Sequence, residues 1–425
     1  MCWPKRKAEV AQNEATPVKK TPPTPTYWWL YRDSRVADWV KWAVGTVLLV
    51  VFGPYTALQI ILCQLWELLD KRVIGLNMLC SRMNRAISPY LRQFIHHRDD
   101  TFMISVFVLQ GILLPMWFFY ELWRAAAYGL EWRRVVAYNL VRIGPMYCNF
   151  MYSYTLAHKE AHCFGKLFAF RNRLYLFNCW VGLFHGIVPG VFPYSHIFLH
   201  HKYNNAERDI CSTAFRRRDR FSSWIIYSIE CLLFATNISS AVAFWGEGDT
   251  YRAAMSTLGS MAYSLFVALC WRVHPMFTFA TLVYCLIESN FLLSIVNYVW
   301  HAFIDPSCPK DPYVNSTTIM EGLNFTMSEE FHVVHHQVAG AHWTRHEDLL
   351  KKDIQGYKGR GTPPTAFYRV NIFEVFAHIV AADYNKLVEI YYKPWQGDYT
   401  DEELAELMRT RLQCHGPDLA KLMTT

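Results

Sequence analysis

Long uncharged apolar runs alternate with short basic loops along most of this chain. Residues 42–66 carry no charged side chain, and neither do 101–120 or 253–271. Residues 135–157 hold one charge, Arg142; residues 222–245 hold Glu230; residues 275–300 hold Glu288. A helix rises 1.5 Å per residue, so about 20 apolar residues cross the hydrocarbon core. Six runs therefore read as candidate spans. A seventh, 174–199, is uncharged but interrupted by Pro189, Pro193 and several glycines, which predicts a re-entrant or interfacial stretch. Residues 1–35 include TPVKKTPPTPT and no apolar segment, so they predict a disordered polar tail without a cleavable signal.

Basic residues orient the runs. Residues 1–41, the loop 67–100 and the segment after His201 are each rich in Lys and Arg, and cytosolic loops carry that excess. The first run would then begin and end on one side. Gly53-Pro54 lies at its centre, where Pro removes a backbone donor, so a hairpin entering and leaving from the cytosol is expected over 36–100 together with its basic loop. A single kinked span is the alternative. Residues 101–122 then lead out and 135–157 back. Residues 222–245, with Glu230 and Asn237, are expected to lie at the interface, leaving 253–271 and 275–296 as a second out-and-back pair. The fold class is thus an all-α polytopic membrane bundle: about four spans, a hairpin, interfacial helices and a cytosolic cap carrying the histidines.

Composition supports the membrane reading. Apolar residues make up 52%, charged residues 18% and aromatics 16%, the last suiting both membrane interfaces. The net charge of +7 fits an anionic leaflet, and no basic helix or motif points to nucleic acid. The 12 cysteines include no CxxC pair and read as reduced thiols.

The candidate chemistry lies in clustered histidines. His158 and His162 stand four apart; His196, His200 and His201 follow in SHIFLHH; His332, His335 and His336 stand in FHVVHH; NYVWH puts Asn297 four before His301. Spacings of three or four place side chains on one helix face. Neutral imidazole is a good ligand for iron, zinc or copper. Nine histidines exceed the four ligands of one tetrahedral ion and suit two ions. His96, His97, His274, His378 and His415 read as ordinary interfacial polar groups, and His185 as structural. HKEAH departs from the zinc-protease pattern, since Lys159 stands where the general base belongs.

These boxes resemble those of the integral-membrane fatty acid desaturases and hydroxylases: HX3–4H, HX2–3HH and a third HX2–3HH. The stretch 178–201 is similar to the omega-6 acyl-lipid type, and Asn297/His301 to the NxxxH element of acyl-CoA desaturases. The resemblance covers roughly 100–350. It implies a desaturase domain at 101–350 and a C-terminal cap and tail at 351–425. It further implies two iron ions on His158, His162, His196, His200, His201, His301, His332, His335 and His336, with Asn297 acting through a water. The implied partners are a lipid-linked or CoA-linked fatty acyl chain, O2, and an external donor such as cytochrome b5 or ferredoxin, in the endoplasmic reticulum with both termini cytosolic. Two departures stand out. Three residues separate His196 from His200, where omega-6 enzymes usually have two, and NYVWH also resembles an alkane-hydroxylase element. Asp209 and His342 are candidate groups orienting the imidazoles, with Glu329, Glu330 and His346 behind them. Hydroxylation at the same centre is the alternative outcome, and a membrane zinc hydrolase the more distant one.

Overall fold

A computed structural model describes residues 35–169, 175–323 and 327–423. The expected polar tail falls almost wholly outside these residues. Helix dominates. Among the described residues the only sheet is a parallel pair of three-residue strands, β1 (Thr318–Met320) and β2 (Ala366–Tyr368).

The expected hairpin at Gly53-Pro54 is absent. Helix α1 (Arg35–Leu69) runs unbroken through Pro54. Proline leaves one carbonyl without its intrahelical donor, but helices in an apolar medium absorb this when side-chain hydroxyls and neighbours satisfy the loosened turn. Here Thr56 Oγ1 donates to the Phe52 carbonyl at 3.1 Å, and Tyr284 of a neighbouring helix meets Thr56 at 3.0 Å. Helix α2 (Leu76–Leu91) follows and carries the basic loop.

Among the described residues, four helices are long and apolar enough to cross a membrane: α1 with its extension, α3 (Arg98–Tyr128), and later Thr250–Val273 and Pro275–Trp300. The expected span 135–157 is not one helix. It is split into α4 (Trp132–Ile143) and α5 (Cys148–His162). Gly144 takes φ +73, where a Cβ would press on Asn149, and Pro145 then brings no backbone donor to continue the helix. Residues 222–245 likewise divide into α6 (Phe221–Ala235) and α7 (Ile238–Gly246), bent by 72° at Asn237. Asn237 sits at φ +59 and ties the bend down: its Nδ2 donates to the Pro189 carbonyl at 2.9 Å, and its Oδ1 accepts from Ser195 Oγ at 3.1 Å. Asn237 and Asn315, both in glycosylation sequons, are buried, so neither amide is available to a glycan; Asn324 lies outside the described residues.

Helices α8 (Thr250–Val273) and α9 (Pro275–Trp300) form the second pair. Gly259 of α8 meets the Pro189 backbone so closely that any Cβ would overlap the carbonyl oxygen. Gly259→Ala is therefore expected to cost about 1–3 kcal/mol, since overpacking against rigid backbone cannot relax through a rotamer. The thermal midpoint of the purified protein in lipid nanodiscs measures it; an unchanged midpoint would refute this packing.

The largest apolar cluster joins the start of α6 and the end of α9 to the C-terminal layer. That layer contains α10 (His332–Gln337), α11 (Ile372–Val380) and α12 (Asp401–Gln413). Thr400 and Glu403 form the capping box that their spacing predicts. Helix α11 packs Phe376 against Trp224 and Tyr298. Its charge-poor face finds the aromatic end of α6 and α9 rather than polar imidazoles.

Candidate metal centre

The nine histidines converge into two groups. His158, His162, His196, His201 and His335 bring one nitrogen each within 4.8 Å of one another; His200, His301, His332 and His336 do the same beside them. The last turns of α5 supply His158 and His162. The second box lies on a π-helical turn, Val191–His200. A π-helix bonds i to i+5 rather than i+4, so residues five apart share a face. His196 and His201 accordingly meet at 3.0 Å in the first group, while His200 points into the second. The extra residue in this box is thus absorbed by a wider helical turn. Helix α10 splits its box in the same sense: His335 joins the first group, His332 and His336 the second. His301 ends α9, with Nε2 at 3.2 Å from His332 Nε2.

The geometry fits metal ions. Facing Nε2 atoms lie 2.7 to 3.2 Å apart. Nitrogens about 2.1 Å from a shared ion and at right angles would stand about 3.0 Å apart. Mutual hydrogen bonding is a poor alternative, because a neutral imidazole has one donor and one acceptor and cannot serve four neighbours. His200 Nε2 is buried with no hydrogen-bond partner, as a ligand nitrogen would be. Burial holds His162 and His301 neutral: His162, with Lys159 nearby, is pushed down to about 3, and His301 also to about 3. Neutral imidazole is the ligating form.

A cavity of about 400 Å³ opens beside these groups. His158, His196, His200 and His332 touch it, and most of its remaining wall is apolar. A metal-ready polar centre against an apolar cavity in a chain with long apolar helices is the arrangement that oxidation of a lipid tail requires. The family model for fatty acid desaturases matches residues 130–367, more than half of the chain and all nine histidines. The chain belongs to the fatty acid desaturase family. Among curated proteins and solved structures, nothing matches it.

In this desaturase-family chain the imidazoles are held from behind. Asp209, fully buried, accepts from His200 Nδ1 at 2.8 Å. Burial alone would raise the Asp209 carboxyl, but His200 and the backbone donors of Cys211 and Asn205 outweigh it and hold the group below its usual range. Glu329 ion-pairs with Lys159 and lies 3.5 Å from His158 Nδ1 and 3.7 Å from His335 Nδ1. Burial raises its carboxyl, with Lys159 opposing. His301 Nδ1 donates to the Asn315 carbonyl at 3.1 Å. Trp300 stacks on His332, 4.9 Å between centroids. Asn297 lines the cavity, its Nδ2 donating to Tyr227 OH at 2.6 Å. His346 Nδ1 donates to the Ser328 carbonyl at 3.1 Å, with its ring 6.2 Å from His335.

His342 lies elsewhere and does not orient a box histidine. Its Nε2 bonds Asp100 at 3.0 Å, and its ring stacks on His97 at 3.5 Å and 19°. His97, Asp100 and His342 are close enough for an ion. Nearly parallel rings, however, direct their in-plane lone pairs side by side rather than to one point, so this trio reads as a latch between two loops. Trp343 Nε1 completes it, donating to Asp100 at 2.8 Å. His185 bonds Gln110 at 3.0 Å and belongs to neither group. Glu160 faces away from the histidines, accepting from Asn178 N at 2.9 Å, and burial raises its carboxyl to about 7. It fixes α5 to the 176–179 turn and is not placed as a general base. Sequence spacing overlooked Asn205, Asn315 and Tyr227. Asn205 meets the His301 carbonyl and Asn315, and Tyr227 meets Asn297, from far along the chain, and a lone Asn or Tyr carries no spacing signal.

Proposed function

We propose that this chain inserts a double bond into a fatty acyl chain, using two iron ions on its nine histidines. The observation that carries the reading is the convergence of five and four imidazoles at the wall of an apolar cavity. Two bound irons would supply the oxygen chemistry that an unactivated C–H bond demands. The protein's share is positional. Asp209 and the Asn315 carbonyl fix the rings of His200 and His301, and Glu329 faces those of His158 and His335. Asn297, with its amide nitrogen given to Tyr227, keeps its oxygen for a water beside the metals. The apolar wall holds the chain against the site and keeps bulk water out. We assign the centre and both termini to the cytosolic side of the endoplasmic reticulum. Residues 101–350 form the catalytic domain, and 351–425 cover it. O2 and an external electron donor, cytochrome b5 or ferredoxin, complete the reaction.

Hydroxylation is the second reading, favoured by the NYVWH element, and differs only in the fate of the first radical. A zinc hydrolase would use about three histidines and leave the second group without purpose. Expression in cells supplied with cytochrome b5 and its reductase, followed by lipid mass spectrometry and metal analysis, separates these. New double bonds with two irons per chain are expected. A gain of one oxygen would move the assignment to hydroxylase, one zinc to hydrolase, and unchanged lipids without iron would sink both oxidative readings.

A further inference from the structure

Helix α9 turns one face to the cavity and ends against the histidines. Leu292, Leu293, Val296, Asn297 and Trp300 all line the wall, and their alternating spacing of one and three residues is that of a single helix face. Trp300 is the last of them, buried, and the next residue is His301. Its indole lies over the His332 ring, 4.9 Å between centroids and 14° from parallel. Trp300 therefore meets the cavity and a box histidine at once.

His332 is a ring that needs such a partner. Asp209 holds His200 at Nδ1, the Asn315 carbonyl holds His301, and Glu329 faces the Nδ1 atoms of His158 and His335. The His332 Nδ1 is buried and has no hydrogen-bond partner among the described residues. Its Nε2 lies 3.2 Å from His301 Nε2 and 3.1 Å from His336 Nε2. A ligand imidazole is normally oriented by a hydrogen bond from its second nitrogen. At His332 the flat face of the indole limits rotation of the ring instead. One short segment frames the stack. Thr317 N donates to the Trp300 carbonyl at 2.9 Å, and Ile319 N donates to the Glu330 carbonyl, two residues before His332, also at 2.9 Å. The two backbones are thus tied to residues 317–319, and the freedom that remains is that of the side chains. An acyl chain filling the cavity packs on Trp300 and supports the indole against His332.

We infer that Trp300 is a positioning residue: it sets the plane of the His332 ring in place of a hydrogen bond, and through it the filling of the cavity by an acyl chain is signalled to the four-histidine group. This rests on the reading of the nine histidines as ligands of two metal ions. The test reads the metal site rather than turnover. Full-length protein in nanodiscs of branched-chain diphytanoyl lipid is stripped of metal and titrated with Co2+, whose visible absorption depends on ligand geometry. Hexadecane is the probe that fills the cavity, because it brings no ligand atom of its own. The unsubstituted protein is expected to take two Co2+ per chain and to shift its absorption when hexadecane is added. Trp300→Leu and Trp300→Met remove the stack and keep an apolar wall. Each is expected to weaken the second ion about three- to tenfold, the scale of a lost aromatic pair, and to abolish the shift. Trp300→Phe keeps a ring over His332 and is expected to restore the shift. Trp224→Leu takes an indole from the same apolar cluster, where its ring neighbours are Phe221, Phe291 and Phe376, and is expected to change neither property. A Leu or Met variant that keeps either the original affinity or the original shift overturns the inference, as does an equal loss in Trp224→Leu. So does an unsubstituted protein that binds two Co2+ but does not respond to hexadecane. Fewer than two Co2+ in the unsubstituted protein refutes the two-metal reading itself, and the inference falls with it.

Discussion

Replacing His200 with alanine is expected to halve the iron content and abolish oxidation. His200 is a member of the four-histidine group, its Nε2 is buried without another partner, and its ring is fixed by Asp209. Removing one of four ligands leaves three for the second ion and none of the orientation Asp209 provides. The five-histidine group is untouched, so about one iron per chain should remain. Asp209→Asn is the graded version. It keeps the shape but places an NH2 where two backbone donors and the His200 N–H now converge on carboxylate oxygens. Loss of such an outer partner typically costs about 10–100-fold in metal affinity or activity, and the His200 variant should fall below that range. His342→Ala is the control, because its ring meets Asp100 and His97 and no box histidine. Metal content read by elemental analysis decides the matter. Two irons retained in the His200 variant, or a loss in the His342 variant equal to that of Asp209→Asn, would refute this assignment of roles.

The convergence of the nine histidines was legible in the sequence for a physical reason. Helical spacing is local, and nine imidazoles in four short motifs report their shared faces without knowledge of the fold. What spacing could not convey was how the histidines divide between the two groups. That depends on the π-helical turn at 191–200, which aligns His196 with His201 instead of His200. A π-turn leaves no pattern in the residues themselves. The apolar runs were equally visible, but their breaks were misplaced. Gly53-Pro54 suggested a break that a neighbouring hydroxyl and helix contacts make unnecessary, whereas Gly144-Pro145 received no notice and does split a run. The same dipeptide type behaves differently because only the second adopts positive φ, followed by Met146 and Tyr147 also at positive φ. Tertiary contacts decide this, and sequence does not carry them. His342 failed for a related reason: proximity to the third box along the chain does not bring its ring to the box in space.

Two of the three charges that interrupt the apolar runs, Arg142 and Glu288, are expected to matter for stability nearly as much as the histidines matter for chemistry. Both side chains are fully buried and ion-paired, α4 to α9. Arg142 Nε also donates to Asn139 Oδ1 at 3.2 Å, while Glu288 Oε1 accepts from Tyr147 OH at 3.1 Å and Tyr284 OH at 2.9 Å. Tyr284 OH also lies 2.9 Å from Gln59 Oε1 of α1, so three helices are tied through one polar cluster in apolar surroundings. Arg142→Met leaves the Glu288 carboxylate without its counter-charge, and removing one partner of a buried pair typically costs about 3–5 kcal/mol. Glu288→Met should do the same in reverse. The double variant removes both charges at once and is expected to regain most of the loss, since apolar side chains of similar volume are often neutral replacements for a buried pair. The unfolding midpoints of the three variants in identical nanodiscs test this. A double variant no better than either single one would mean that the surrounding hydroxyls, not the missing charge, set the cost. Tyr147 links this cluster to function, because its ring lines the cavity while its hydroxyl is held by Glu288. The double variant should therefore recover stability without full recovery of lipid oxidation: methionine restores the packing but cannot hold the Tyr147 hydroxyl in place.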